Sequence, residues 1–366
     1  MTKKKPLFTV MTLTFNRPQY LKQVVDCVQK QTYAPYVEHV IIDNGSTPET
    51  REYLSSLSYL ESEKKIKIVR FEQNQYDPKR PGYFMDICCN KAMEVVEGEY
   101  ILYLSDDDLI AEDYLECMAR LFEENPNCQA VSGQPYSIDG AGKIREKIIY
   151  RNYRPRFMPG RFLVLDSLRG GKYLYSSPGS IFAFRTRTRR ENGGFHESFD
   201  FTDFVSMVPF GEIGYDPKAQ FFWRHHDNQL NKLWNDLGIV FIKDNENLIQ
   251  EFNLKEKWDS FHGEKYGNEV CTLILNQAIE SASNYFVINL YRFKFKASFN
   301  ILCQGSGRWL FWRRLPGRFL KHKGYFISSI KHFIARTFFF IFPFAGKISP
   351  RLENIRKRVK ENQVKN

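Results

Sequence analysis

No stretch of this chain is apolar for long enough to cross a membrane. The longest uncharged apolar run, Thr337–Gly346, has ten residues and contains Pro343, whereas a spanning helix needs about 20. No two cysteines are spaced Cys-x-x-Cys. The seven (Cys27, Cys88, Cys89, Cys117, Cys128, Cys271 and Cys303) include an adjacent pair that suits no disulfide framework. They read as buried or free thiols of a reducing compartment. A signal-peptide pattern is also missing, because Leu7–Phe15 is broken by three threonines and runs into Asn16-Arg17-Pro18. The expected compartment is the cytoplasm. Glycine is absent from Thr12–Pro18, after the first strand candidate. That argues against a nucleotidyltransferase, whose phosphate loop would be glycine-rich and basic there.

Acidic residues are missing from 286–350, and the whole segment 286–366 holds 18 Lys and Arg against Glu353 and Glu361. Its local charge is +16 while the whole chain carries +11, so the preceding 285 residues are mildly acidic, at −5. The body and the tail need separate explanations. In the tail, Phe326, Ile327, Ile330, Phe333 and Ile334 share one face of a helix, and Ser328, Lys331, His332 and Ala335 the other. A basic amphipathic helix with aromatic anchors suits the surface of an anionic membrane. Packing on a partner or on the body is the alternative. Nucleic acid is a further one, against which the Phe and Ile content argues.

What the body does contain is an alternation of strand and helix signals over its first 130 residues. Leu7–Leu13, Val37–Asp43, Ile66–Phe71 and Tyr100–Leu104 are β-rich. Between them, Pro18–Lys30, Thr50–Leu60 and Tyr83–Val96 have helical spacing, and Glu112–Glu124 follows. Such alternation predicts an α/β fold with a mostly parallel sheet and ligands at the carboxyl ends of the strands. Residues 133–175 read as loops and a hairpin. Gly179–Phe184 and Phe221–His225 read as strands, Phe201–Val208 as a short element, and Asn245–Ile288 as helical.

Three carboxylates, Asp106, Asp107 and Asp108, end the strand Tyr100–Leu104. Adjacent like charges need a cation or donor groups nearby. Hard oxygen ligands suit Mg²⁺ or Mn²⁺, which commonly completes its shell with substrate phosphates. The triplet therefore suggests a metal–diphosphate site, the plainer alternative being an acidic turn in which Asp108 caps the next helix. Asn16 and Asp43 sit at other strand ends.

These residues resemble the family 2 glycosyltransferases of GT-A fold. The matching features are Thr9–Pro18, Val40-Ile-Ile-Asp43-Asn-Gly-Ser46, Asn90-Lys-Ala92, Gly98–Asp108, Gly193-Gly-Phe195 and Arg224-His-His226-Asp-Asn228. The resemblance implies a Rossmann-like sheet flanked by helices. It also implies an inverting enzyme that moves a sugar from a nucleotide diphosphate donor, commonly a UDP-sugar, to an acceptor hydroxyl. It assigns Thr14, Asn16, Asp43, Asn90 and Asp106 to the donor, with Asp43 on the base. It assigns Asp107, Asp108 and His226 to Mn²⁺ or Mg²⁺, the D-x-D register among Asp106, Asp107 and Asp108 staying open. A single-step inversion needs one general base on the face opposite the diphosphate. Asp203 occupies the family position, with Asp200 as its competitor.

Three departures are visible: Ser105 stands where the family has its first Asp, Cys89 where it has Arg, and Thr202 where it has Glu. Either Lys79 or Arg80 supplies that charge to the diphosphate in place of the missing Arg, or no residue does. The expected organisation is a catalytic domain over 1–240, a helical connector over 241–285 and the basic extension over 286–366. The expected acceptor is a glycan or lipid-linked saccharide, reached at the inner face of the cell membrane. A membrane-bound scaffold with a degenerate domain is the non-catalytic alternative.

Overall fold

A computed structural model describes residues 7–63, 65–78, 80, 82–147, 155–170, 181–196, 199–229, 242–292, 294–305 and 309–322. They divide into two compact units, Met1–His225 with Phe252–Val270, and His226–Glu251 with Cys271–Asn366.

The first unit is built on one sheet. β1 (Phe8–Thr14), β2 (Val37–Asp43), β3 (Ile66–Arg70) and β4 (Tyr100–Tyr103) are parallel, in the order β3-β2-β1-β4. All seven residues of β1 are buried, as expected for a strand covered on both faces. Its three threonines survive there because each meets a polar group: Thr9 meets Glu38, Thr12 meets His39 and Thr14 meets Asp106. Helix α1 (Pro18–Gln29) begins with proline in its first turn, where the missing N–H costs nothing. It buries Leu21, Val24, Val25 and Val28. Helices α2 (Pro48–Ser56), α3 (Ser58–Ser62) and α4 (Tyr83–Met93) complete this half.

Beyond β4 the sheet changes character. β5 (Leu109–Ile110) and α5 (Tyr114–Glu124) lead into β6 (Cys128–Asp139), β7 (Ile144–Lys147), β8 (Phe157–Pro159), α6 (Gly160–Leu168) and β9 (Phe182–Arg185). After α7 (Thr186–Glu191) and α8 (Phe199–Ser206) comes β10 (Glu212–His225). The order continues β4-β9-β6-β10-β5, with β9 antiparallel to both its neighbours, β6 parallel to β10, and β5 antiparallel to β10.

The α/β alternation and GT-A-like sheet agree with the sequence reading. The segment 133–175 agrees only in part: β6 and β7 form the expected hairpin, but β6 extends through residues 133–139, and β8 and α6 stand where loops were expected. Gly133 and Pro135 look like loop residues, yet β6 crosses β10 so closely at Gly133 that a Cβ would lie 2.3 Å from the Ala219 carbonyl oxygen and 2.7 Å from the Tyr114 ring. The last strand starts at Glu212 rather than Phe221. Asp108 caps no helix, since Asp113 precedes α5.

Helix α10 (Leu254–His262) belongs to the first unit, where Trp258 is fully buried and its indole N–H donates to the Val205 carbonyl at 3.3 Å. The second unit holds α9 (Ile242–Glu251), α11 (Tyr266–Tyr291) from Cys271 on, α12 (Phe295–Gly305) and α13 (Trp309–Lys321). Ile279, Ala282, Val287, Ile301, Phe311 and Leu315 form its core. Glu280 pairs with Arg314 at 2.7 Å and Arg318 at 3.5 Å. The first part of the basic extension is thus packed helix, and the 285/286 boundary falls inside α11. The amphipathic face at 326–334 lies outside the described residues. No described helix is long and apolar enough to cross a membrane.

Candidate functional site

Asp43 ends β2 directly beside Thr14, the last residue of β1. It is fully buried, and its Oδ1 accepts the Ser46 N–H at 2.9 Å, closing the turn that holds Gly45 at φ +71°. A Cβ at Gly45 would meet the Gln73 backbone at 2.3 Å, so only glycine fits there. Oδ2 of Asp43 has no hydrogen-bond partner, and Arg51 Nε stays 3.9 Å away. A buried carboxylate oxygen without a donor is costly unless a ligand supplies one.

Asn16 lies in the next loop with φ +55°, a left-handed conformation uncommon outside glycine. Its own side chain holds it there. Oδ1 accepts from Thr47 N at 2.7 Å and Thr47 Oγ1 at 2.9 Å, while the Asn16 N–H donates to Ser46 Oγ at 3.1 Å. Asn16 therefore ties the β1 loop to the β2 loop.

The three aspartates diverge. Asp106 Oδ2 accepts the Thr14 hydroxyl at 2.8 Å, and its Oδ1 faces Arg17 Nη1 at 3.0 Å. The same Nη1 lies 3.3 Å from Asp107 Oδ2. Asp108 turns away and accepts the Arg224 N–H at 2.9 Å. Arg224, fully buried in β10, also donates from Nε to the Asp107 carbonyl at 2.5 Å and from Nη1 to the Gly140 carbonyl at 3.0 Å. It fixes the backbone on which the carboxylates are mounted. Burial pushes Asp106 up to about 6, with Asp107 adding to the rise and Arg17 and Thr14 opposing it. Burial and Asp107 hold Asp108 well above the usual carboxylate range.

Among the described residues no three His, Cys, Asp or Glu side chains converge as a cation cage. Asp106 and Asp107 do face one cationic position, and two hard carboxylates with substrate phosphates are a donor set that fits Mg²⁺ or Mn²⁺. Asp108, expected to share it, is directed to Arg224 instead. His226 belongs to the second unit, where its Nδ1 accepts the Asn228 N–H at 3.2 Å.

Asn90 departs from its expected donor role. Its Oδ1 accepts the Phe195 N–H at 2.7 Å, while Nδ2 donates to the Phe195 carbonyl at 2.8 Å and to Asp86 at 2.6 Å. A Cβ at Gly194, where φ is +92°, would lie 2.1 Å from Asn90 Oδ1. The amide is spent on clamping the Gly193-Gly194-Phe195 turn. Cys89, in place of the family's arginine, is fully buried.

The two carboxylates of α8 differ sharply. Asp203 is buried in a bidentate pair with Arg189, Nη1 to Oδ1 at 2.6 Å and Nη2 to Oδ2 at 2.5 Å, with Arg189 stacked 4.1 Å from the Phe195 ring centre. This contact runs against the expectation that Asp203 takes a proton, because both oxygens already hold a permanent cation. Asp200, one turn earlier, is only half-buried. Its charge, together with Asp106 and Asp107, helps hold the buried Tyr103 hydroxyl well above its ordinary range, after burial itself and Cys89.

Arg17, Arg189 and Arg224 were not singled out from sequence, although Arg17 and Arg224 stand inside matching segments. The one signal was the need for a cation near adjacent aspartates. A separate cavity of about 470 Å³ lies by the amino ends of β6 and β10, walled by Phe210, Phe261 and His262. It shares no residue with the carboxylate cluster.

Residues 9–186 match the sequence profile described as Glycosyl transferase family 2. The uncharacterized glycosyltransferase MJ1057 of Methanocaldococcus jannaschii is 26% identical over 151 residues, which cover 41% of this chain and 49% of the relative. The putative teichuronic acid biosynthesis glycosyltransferase TuaG of Bacillus subtilis is 33% identical over 116 residues, covering 32% and 42%. The chain thus spans under half the length of these two relatives. Among solved structures, residues 1–349 of S. aureus TarS superpose with a TM-score of 0.55 at 16% identity, over 80% of this chain and 81% of that one. The same fragment in complex with UDP gives 0.53 at 14% identity, over 82% and 89%. The curled, mixed sheet and the profile match agree: this chain carries a family 2 glycosyltransferase domain of GT-A fold.

Proposed function

We propose that the protein is an inverting, cation-assisted glycosyltransferase. It takes a nucleotide diphosphate donor, a UDP-sugar, and extends a glycan or lipid-linked saccharide in surface polysaccharide or glycoconjugate synthesis. The observation that carries this reading is the buried Oδ2 of Asp43, which receives no hydrogen bond, with the single strand β1 between it and the Asp106–Asp107 couple. The first is an acceptor suited to an imide N–H of a base such as uracil. The second is a cation site suited to a diphosphate. Asp106 and Asp107 would hold Mn²⁺ or Mg²⁺, which neutralises the leaving diphosphate. Relatives named for teichuronic acid synthesis and as a poly(ribitol-phosphate) beta-N-acetylglucosaminyltransferase support a surface-glycan acceptor.

The base comes from α8. Asp200 is the residue we favour, because a general base must reach the acceptor proton and both oxygens of Asp203 are held by Arg189. Asp203, locked to Arg189, fixes the helix that presents it. The basic extension 286–366, with Phe299 and Trp312 exposed on its described helices, would hold the enzyme peripherally at the anionic inner leaflet.

Calorimetric titration with UDP, with and without Mn²⁺, tests the donor site in the wild type, Asp43→Ala and Asp107→Ala. Binding that needs Mn²⁺ and weakens in both variants supports it, and equal binding in all three sinks it. Turnover of Asp200→Asn against Asp203→Asn then identifies the base. Loss in the first at unchanged donor affinity is expected. Loss only in Asp203→Asn, with melting unchanged, would return the role to Asp203. A protein that binds UDP yet neither transfers nor hydrolyses UDP-sugars would be a scaffold.

A further inference from the structure

The position that a cation would take between Asp106 and Asp107 is already served by the chain itself. One nitrogen of Arg17, Nη1, lies 3.0 Å from Asp106 Oδ1 and 3.3 Å from Asp107 Oδ2. The Arg17 side chain is only about a quarter exposed, and its charge is reinforced by both aspartates. A guanidinium is charged at every working pH, so it cannot vacate the place by losing a proton.

The backbone aims it there. Asn16 is held left-handed by its bonds to Ser46 and Thr47. Arg17 follows as the residue that starts α1, its carbonyl accepting the N–H groups of Tyr20 at 3.1 Å and Leu21 at 3.0 Å. Pro18 restricts the backbone of the residue before it. The Asn16-Arg17-Pro18 turn is therefore a fixed mount for a cation, pointed across the sheet edge at residues 89 and 90 positions further along the chain.

We infer that Arg17 is the resident counter-ion of the donor site and that it makes uptake of a divalent cation conditional on a nucleoside diphosphate. This rests on the donor-site reading above. A bare divalent cation must compete with a tethered guanidinium for the same two carboxylates, and like charges a few ångströms apart repel strongly. A diphosphate changes the balance, because it offers oxygens to both. Arg17 exchanges carboxylate for phosphate oxygens, a pairing for which its planar fork is suited. The carboxylates it leaves are then open to the incoming cation. The donor and its cation enter together, and the empty enzyme keeps its aspartates neutralised without metal.

The test is a Mn²⁺ titration of the protein without nucleotide, followed by electron paramagnetic resonance of free Mn²⁺, and a calorimetric UDP titration in EDTA. Arg17→Met is the main variant. Arg17→Gln, which keeps polar contacts while losing the charge, serves if Arg17→Met melts early. Expected results are Mn²⁺ affinity at least about tenfold higher in the variant without nucleotide, and UDP affinity in EDTA about tenfold lower. Arg17→Lys, retaining the charge, is expected to keep Mn²⁺ binding weak. Equal Mn²⁺ affinities in wild type and Arg17→Met, with UDP binding intact, would overturn the counter-ion role alone. Absence of Mn²⁺·UDP binding in every protein would overturn the donor-site reading with it.

Discussion

Glu38 and Asp43 stand near the two ends of one strand, β2, both buried and both carboxylates, and the chain treats them in opposite ways. Glu38 Oε1 accepts the Thr9 hydroxyl, the Glu97 N–H at 2.7 Å and the Gly98 N–H at 3.1 Å, while Oε2 pairs with Lys67 at 2.7 Å. Asp43 receives one backbone N–H and keeps Oδ2 bare. The contrast extends to their neighbours on β1, Thr9 serving Glu38 and Thr14 serving Asp106. At the amino end of β2 the chain completes Glu38, while at the carboxyl end Asp43 keeps one oxygen that receives no hydrogen bond, although the neighbouring Asp106 there is bonded by the chain on both of its oxygens.

Four experiments break or sharpen this contrast. The largest effect belongs to the binding end: Asp107→Ala should lower turnover by about 10³-fold, measured with UDP-sugar, at an unchanged melting temperature. A comparable loss of melting temperature would make Asp107 a structural residue like Glu38. Next, Glu38→Leu removes the acceptor of the Thr9 hydroxyl and of the Glu97 N–H and one of the two carboxylates paired with Lys67, and should cost about 3 kcal/mol in urea unfolding. Turnover per folded molecule should not change, and a fall in it would erase the distinction between the ends.

Third, His39, buried in β2 with Nε2 3.0 Å from Thr12 Oγ1, is pushed down to about 3 by burial. The unfolded chain, with the ordinary value of 6.5, takes up the proton first. Its contribution is therefore complete above pH 6.5 and is lost as pH falls towards 3. Between pH 7 and pH 5 the wild type should lose about 2 kcal/mol that His39→Gln does not. Parallel pH slopes would refute this. The smallest and most direct comparison is Thr9→Val with Thr14→Val. The first should cost about 1 kcal/mol of stability and leave UDP affinity intact, and the second should do the reverse.

The α/β half of the fold was legible because β1 to β4 and their helices follow one period each, and the strand-end carboxylates declared themselves by charge. Of residues 133–175 only the hairpin was legible, since Gly133 and Pro135 signal a loop locally while β6 is settled by strands far along the chain. Of the candidate site, the carboxylate cluster was legible and the partners of its members were not. Adjacent aspartates were correctly read as needing a positive charge. The sequence could not show that Arg17 supplies it, or that Arg224 grips the Asp107 carbonyl from 117 positions away. Asn90 and Asp203 were placed by motif, and only their contacts with Phe195 and Arg189 reveal them as braces.

Helix α4 carries two of these braces close together. Cys88 Sγ lies 3.5 Å from Asn44 Oδ1, beside Asp43, and Asn90 grips the turn that leads to α8. Positions 88 and 90 are separated by a rise of about 3 Å along a helix axis. The loop beside the proposed nucleotide site and the turn before the proposed base thus hang from one rod, like two brackets on a single rail. Reacting atoms must meet within about 3–3.5 Å, and here that tolerance is inherited from covalent geometry. A residue inserted between 88 and 90 would rotate one bracket by about 100° against the other and misalign the two halves of the site, even with every side chain in both still present.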